Sequence, residues 1–414
     1  MKEIKNAVCP GCTLLCDDIA YSGNSPETNV IAGNACGAGQ TFFELQSKQK
    51  SSHCVSGKQA GRDAAVKAAV DILLSSNAPL ICGLDHLTTE AQQVAWKIAD
   101  RLGATIDTTM SNHGRSSMFS LQRVGKVTAT IGEIANRSDV VVFWFCDPEE
   151  THPRLLERLG VGKKIVVIGE VNLKCGDAFY RISKNAAADL IAVLRSIIGQ
   201  KKYDPASAQK ATGLTVSQME QIAGLLVQSK YGAMFYGQTT VDSSFDLAND
   251  SLASMFRELN NHTRFVGMKL RLDGNAQSAE NVLAWSSGYP FAVSHSQTFP
   301  RYNQVEYSAE TLLLRKECDA VLFATGPDLQ TAFAALSRSG KDHLGSIPKI
   351  SISPISNFPS DVSFEVGTPG VSESGEFCRN DDVPIPVGVV NDNELDSAEV
   401  VLGEIWDAIS LELN

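Results

Sequence analysis

Asp139-Val-Val-Val-Phe-Trp-Phe-Cys146 is a continuous apolar run, entered through one acid and followed by a proline-bearing loop. A strand with one wet face would show a polar residue at every second position, so this run reads as a strand buried on both faces. Lys164-Ile-Val-Val-Ile-Gly169 repeats the pattern after a short helix around Arg154–Leu159. Buried strands that alternate with helices make a parallel sheet, with ligands bound outside the carboxyl ends of the strands. The fold class is α/β.

The same alternation extends in both directions. Upstream, Ala64–Leu74 has helical apolar spacing, Ala78–Gly83 is a short buried strand, and Thr89-Glu-Ala-Gln92 has the spacing of a capping box before a helix that ends near Leu102-Gly103. Downstream the pattern predicts helix Ala186–Ile198, strand Gly232–Gly237, helix Asp246–Leu259, strands Arg264–Met268 and Asp319–Thr325, helix Leu329–Leu336, a strand at Pro348–Ser353 and a closing helix over 395–411. The polar stretch 47–63 reads as a boundary. The organisation expected is a four-cysteine domain at 1–52, α/β domains at 53–180 and 181–345, and a C-terminal segment at 346–414 that packs back on them. Residues 269–305, dense in Gly, Asn, Tyr and Pro, read as a functional or partner-binding insertion in the second α/β domain.

Cys9, Cys12, Cys16 and Cys36 stand in the arrangement C-x2-C-x3-C-x19-C. Three thiols on one tight loop and a fourth returning after a short excursion can surround a compact metal centre, and four thiolates are what an iron–sulfur cluster needs. Zinc takes four cysteines too, usually as two separated C-x2-C pairs. The other six cysteines are scattered singly, and Cys82 and Cys146 lie in apolar runs, where a thiol behaves as a small hydrophobe. A reducing cytoplasm is the compartment this predicts.

The 414 residues carry a net charge of −11, which argues against a nucleic-acid or anionic-membrane surface. No run of about 18 apolar residues is present and the first residues have no apolar signal region. Neither G-x-G-x-x-G nor G-x4-G-K-[ST] occurs, so NAD and ATP lose support. Residues 107–117 read as a polar loop at a strand end, where His113 and Arg115 have the chemistry to hold an anion or move a proton, or the loop merely caps the next segment. Asp147–Arg154, with His152, ends another strand, and a histidine between Thr and Pro is more often a satisfied loop residue than a catalyst. The block 285–303, with Trp285, Tyr289, Phe291, Phe299 and Tyr302, is too rich in aromatics and proline for a linker; it reads as a pterin- or partner-facing loop or a packed Ω-loop.

Several of these stretches together resemble one family. C-P-G-C-T-L-L-C-D-D-I at 9–19, T-I-G-E-I-A-N-R-S-D-V-V-V-F-W at 130–144, H-P-R at 152–154, H-T-R-F at 262–265, S-G-Y-P-F-A-V at 287–293, P-R-Y-N at 300–303 and G-T-P-G-V-S-E-S-G-E-F-C-R-N-D-D-V-P at 367–384 are similar to the B subunit of formylmethanofuran dehydrogenase, within the molybdopterin oxidoreductases. The resemblance implies a [4Fe-4S] cluster on Cys9, Cys12, Cys16 and Cys36. It also implies a molybdopterin oxidoreductase-like body without the C-terminal β-barrel of single-chain relatives, so that partner subunits are required.

In redox members of that family a Cys or selenocysteine before a His-Gly pair ligates molybdenum or tungsten held by molybdopterin guanine dinucleotide. Here Asn112 precedes His113-Gly114. An amide oxygen donates little charge to such a metal, so Asn112 and His113 form a degenerate ligand position. The resemblance therefore points to the bacterial branch, the B subunit of a formyltransferase/hydrolase complex in one-carbon metabolism from formaldehyde to formate, without a redox metal of its own. The alternative it implies is a redox-active molybdenum or tungsten formylmethanofuran or formate dehydrogenase subunit.

Overall fold

The computed structural model of the chain describes residues 2–23, 31–46, 52–108, 111–237, 246–272, 274–297, 299–324, 336–355, 358–391 and 395–414. It divides into two compact units, one made of 1–112 with 273–414 and the other of 113–272.

The smaller unit is one uninterrupted stretch of chain. For reference in both units, the first strands in chain order are β1 (Lys2–Cys9), β2 (Cys16–Gly23), β3 (Ile31–Gly33), β4 (His53–Val55), β5 (Lys58–Ala60), β6 (Pro79–Gly83) and β7 (Thr105–Thr108). The smaller unit then supplies β8 (Val140–Trp144), β9 (Lys164–Gly169), β10 (Ala178–Arg181), β11 (Tyr231–Gly237) and β12 (Arg264–Leu270). These pair in the order β10-β9-β8-β11-β12, every pair parallel. The order reverses between β8 and β11, as in a doubly wound sheet.

Helices Ala187–Ile198, Val216–Gln228 and Asp246–Leu259 contribute to the apolar core of this unit through Leu190, Leu194, Met219, Ile222, Met255 and Phe256. Their ends follow local chemistry. Thr215 and Gln218 form a reciprocal capping box, and the preceding helix Pro205–Thr212 starts on an Asp204 cap and stops at Gly213 with φ +73°. Gly232 on β11 and Gly267 on β12 leave room for the rings of Phe265 and Phe256, which lie where a Cβ would be.

The larger unit begins with an antiparallel sheet, β1-β2-β3, and helix Gly37–Gln46. After the smaller unit the chain returns with β13 (Val293–Ser294), β14 (Arg301–Tyr302), β15 (Ala320–Ala324), β16 (Lys349–Ser353), β17 (Val362–Glu365), β18 (Gly375–Cys378) and β19 (Pro384–Val387). The main sheet runs β14-β13-β7-β6-β15-β16-β17-β4-β5. Its centre, from β7 to β17, is parallel, and an antiparallel hairpin closes each edge. Helices Arg62–Ser75, Thr89–Leu102 and Ala398–Glu412 bury Val70, Leu73, Ala95, Ile98, Leu402 and Ile405 in one core. Among the described residues no helix is long and apolar enough to cross a membrane.

The α/β class and the strands holding 140–144 and 164–169 agree with the sequence reading, but the boundaries do not. The limit expected at residue 180 falls inside one sheet, because β8 pairs with β9 before it and with β11 after it. Apolar runs report that a strand is buried and carry no information on which strand lies beside it. Residues 269–305 are not a loop insertion: they hold the end of β12, helix Ala276–Ser287 and the β13–β14 hairpin at a sheet edge of the larger unit. Part of the polar stretch 47–63 is likewise the β4–β5 hairpin. The cap of the helix at 89–102 is Thr88, whose hydroxyl accepts the Ala91 N–H, while Gln92 turns inward and donates to the carbonyls of Leu84 and Leu87. The helix expected at 329–336 lies, apart from Leu336, outside the described residues.

Replacing Gly267 by Ala drives a methyl into the Phe256 ring and is expected to cost about 1–3 kcal/mol of stability. In urea unfolding, Gly267→Ala combined with Phe256→Leu should cost less than the two single changes added, because the shorter side chain vacates the contested space.

Candidate functional site

The four N-terminal cysteines are brought together by the turn between β1 and β2 and by the start of helix Gly37–Gln46. Cys9 and Cys16 are cross-strand partners, Cys12 sits on the turn, and Cys36 immediately precedes the helix. Leu15, at φ +44°, donates its N–H to the Cys12 carbonyl at 3.3 Å and buries its side chain fully. None of the ten cysteines is in a disulfide.

Two glycines allow the approach. A Cβ on Gly39 would stand 3.1 Å from the Cys9 sulfur and 3.8 Å from that of Cys36, and one on Gly11 would stand 3.3 Å from Cys9 Sγ. Burial pushes the Cys9 thiol up to about 12; the Gly11 N–H opposes the rise, and the sulfurs of Cys12, Cys16 and Cys36 add to it. A positively charged core beside these thiols would favour their thiolate forms. Among the described residues no three His, Cys, Asp or Glu side chains are placed to hold one bare metal ion. Four cysteines on this turn and helix start have the donor chemistry that a multi-iron core takes.

The hairpin motif at 367–384 packs over this loop. Gly370, at φ +78°, lies against the Pro10 ring, Asn380 donates its N–H to the Thr13 carbonyl at 3.0 Å, and Leu15 packs with Phe377 and Val387. The hairpin is anchored on its other side by Asn275, which accepts the Cys378 N–H at 2.7 Å and donates to the Leu87 carbonyl at 2.8 Å. Sequence reasoning missed Gly39, Gly370 and Asn275 as supports of the cysteine loop. The glycine-rich N-A-C-G-A-G-Q at 34–40 was the available signal for the first.

Asn112 and His113 fall on the first turn of helix Ser111–Arg123, so the loop expected at 107–117 is largely strand end and helix; their side chains, and that of Arg115, lie outside the described residues. Asp107 is fully buried and accepts N–H groups from Thr108, Ala292 and Ala309, so it fastens two distant segments. His152 is held between the Thr151 hydroxyl and the Arg271 carbonyl, and burial pushes its pKa down to about 4, which keeps the ring neutral. Arg154 makes a two-point contact with Glu157. In the 285–303 block Tyr289 and Tyr302 stack at 5.0 Å, while Trp285 and Phe299 stand exposed. Cys82 is buried as expected, and Cys146 donates its thiol to the Phe235 carbonyl.

Each parallel sheet also has an order-reversal point where ligands of such sheets bind. In the larger unit it lies between β6 and β15, beside the turn Leu84–Thr88. Gln92 and Asn275 hold that turn, Asn275 N–H donating to the Asp85 carbonyl, and burial pushes the His86 pKa down to about 4.

Glu373, on the 367–384 motif, is 3% exposed, and its Oε1 has no hydrogen-bond partner among the described residues. Burial pushes its carboxyl from 4.5 up to about 8; the Ala398 N–H opposes this, and the Glu399 and Glu90 carboxylates add to it. A group whose pKa rises on folding stabilises fully below its unfolded pKa and loses that contribution as pH climbs through the folded value. Glu373→Gln should therefore match the wild type near pH 4.5 and gain on it by roughly 1.4 kcal/mol per pH unit up to about pH 8, read from urea midpoints across that range.

Comparison with known proteins agrees with the resemblance carried by the motifs. No family profile matches the chain. It is 27% identical over 436 aligned residues to the B subunit of the tungsten-containing formylmethanofuran dehydrogenase 2 of Methanocaldococcus jannaschii, covering 95% of this chain and 97% of that one. It is 25% identical over 285 residues to the B subunit of the formyltransferase/hydrolase complex Fhc of Methylorubrum extorquens, covering 65% of this chain and 73% of that one. A chain of the crystal structure of the M. extorquens formyltransferase/hydrolase complex FhcABCD with methylofuran superposes with a TM-score of 0.70 at 22% identity, covering 87% of this chain and 99% of that one. The protein is thus similar, over nearly its whole length, to the B subunit of formylmethanofuran dehydrogenase, and over most of it to that of the formyltransferase/hydrolase complex.

Proposed function

We propose that this chain is the B subunit of a formyltransferase/hydrolase complex of the formylmethanofuran dehydrogenase type, acting with partner subunits in one-carbon metabolism between formaldehyde and formate in the cytoplasm. Asn112 carries the reading: a neutral amide stands where redox relatives place a metal-binding thiolate or selenolate. The donor chemistry there does not fit a molybdenum or tungsten pterin centre, and no step is assigned to one. The fold shared with a chain of the FhcABCD complex supports the same choice.

Cys9, Cys12, Cys16 and Cys36 are the residues that would hold a [4Fe-4S] cluster. Such a cluster supplies one-electron transfer where a donor and an acceptor lie within reach. Without a redox metal beside it, the cluster serves this chain as a staple for the β1–β2 turn and the hairpin at 367–384, and the body of the protein as a scaffold for the partners. A second reading, a tungsten- or molybdenum-dependent dehydrogenase subunit, draws on the 27% and 26% identity, each over 95% of this chain, to two tungsten-containing relatives.

Metal analysis of the purified complex separates the two readings. Iron is expected in the ratio of one four-iron cluster per chain, with molybdenum and tungsten below stoichiometry; either metal present one to one with a pterin dinucleotide would overturn the first reading. Cys12→Ser should lose the cluster absorbance and lower the yield of assembled complex, leaving formyl transfer per intact complex within about twofold. A drop in turnover of the intact complex on the order of tenfold, about 1.4 kcal/mol in the barrier, would contradict a staple.

A further inference from the structure

We propose that the trough between helices Arg62–Ser75 and Ala398–Glu412 is a docking groove for a basic amphipathic helix of a partner subunit. The identity of the partner class rests on the reading of this chain as a member of a multi-subunit complex; the chemistry of the groove does not.

The two helices lie side by side over one core. On the first, Val66, Val70 and Leu74 recur one turn apart along the groove. Opposite them on the second helix stands Ala408, between Glu404 and Glu412. Alanine is too short to close the gap, and a trough of about 510 Å³ remains along the two helices. The lining from residue 63 to residue 74 spans 11 helical steps, about 16 Å, which accommodates three turns of a third helix.

The rim selects the occupant by charge. Asp63, Asp71, Glu404 and Glu412 line it with one lysine, Lys67, and Arg62 offsets Glu404 at 3.1 Å, so the rim stays net acidic. On the second helix, Val400, one turn before Glu404, is 45% exposed and Leu411, beside Glu412, is 80% exposed. An apolar floor between acidic margins matches a helix with aliphatic residues on one face and Lys or Arg along its flanks. A second copy of this chain fits poorly, because a two-fold contact puts the same patch on both sides and would set carboxylates against carboxylates. An anionic lipid surface is refused by the same sign.

The test uses the full chain and three labelled 14-residue peptides: one with Leu and Lys in amphipathic helical order, one with Leu and Glu in that order, and one with the Leu/Lys composition scrambled. Fluorescence anisotropy at low salt should show the ordered Leu/Lys peptide binding at least tenfold more tightly than either control, with affinity falling as salt rises. Asp63→Lys with Asp71→Lys should weaken that binding at least tenfold. Ala408→Trp, which fills the trough and leaves the rim charges in place, should do the same. Equal binding of the scrambled peptide, or unchanged binding by both variants with native circular dichroism, overturns the groove. A change in the mass of the chain itself in light scattering with Ala408→Trp would assign the trough to self-association and overturn it too. Iron content and formyl transfer, which test the reading of the whole complex, do not enter these outcomes.

Discussion

The parallel ladder between β6 and β15 joins residues 79–83 to residues 320–324, and the larger unit is built outward from it. Both strands are buried along their whole length, so neither satisfies its backbone in water and each needs the other. Their union aligns β7 on one side and β16 and β17 on the other, and it brings Leu84 N–H to the Ala324 carbonyl at the carboxyl edge. The turn after β6 is then gripped by Gln92 and Asn275, and Asn275 also holds the hairpin that covers the cysteine loop. A chain of hydrogen bonds thus runs from the middle of the sheet to the metal-binding candidate, with each bond contributing roughly 1 kcal/mol net and more if a buried partner were lost.

The motifs most recognisable in the sequence prove to be fasteners. Thr130 caps its helix by accepting the Glu133 N–H, and Asp139 accepts the N–H groups of Lys230 and Tyr231 at the start of the neighbouring strand. Asn303 caps the turn after β14, and Asp107 ties two returning segments to the end of β7. Polar residues in such positions hold a fold whether or not chemistry is done on it. A likeness resting on them reports the scaffold, which is why the function proposed above leans on the chemistry of one residue, Asn112, more than on the length of the match.

Much of the scaffold was legible from residues alone. Apolar runs such as Val140–Trp144 and Ala320–Ala324 announce buried strands, and the four closely spaced N-terminal cysteines do fall on one turn and the start of one helix. The nesting was not legible, because strand order depends on pairings between residues far apart, and periodicity is a local property. The 269–305 segment misled for a related reason. Gly, Asn and Pro mark turns, and here the turns flank a helix and a two-residue hairpin whose ladder partner, β7, was made long before. Glu373 was silent because a carboxylate in a polar motif gives no sign of the burial that shifts it.

The smaller unit is continuous from residue 113 to residue 272, and its five strands pair only with one another in the sheet they form. On a ribosome it can therefore collapse as soon as β12 has emerged, whereas β6, which can pair early with β7, must wait for β15 on its other edge. Through that interval Leu80, Ile81 and Cys82, all buried in the finished protein, have a ladder partner on one side only, β7. Closing so long a loop is slow, and unpaired apolar strands are where nascent chains misassociate. The inserted unit is thus a timer as well as a lobe: its own folding shortens the distance that the two halves of the central sheet must search, and the cell must shield the first half until the second arrives.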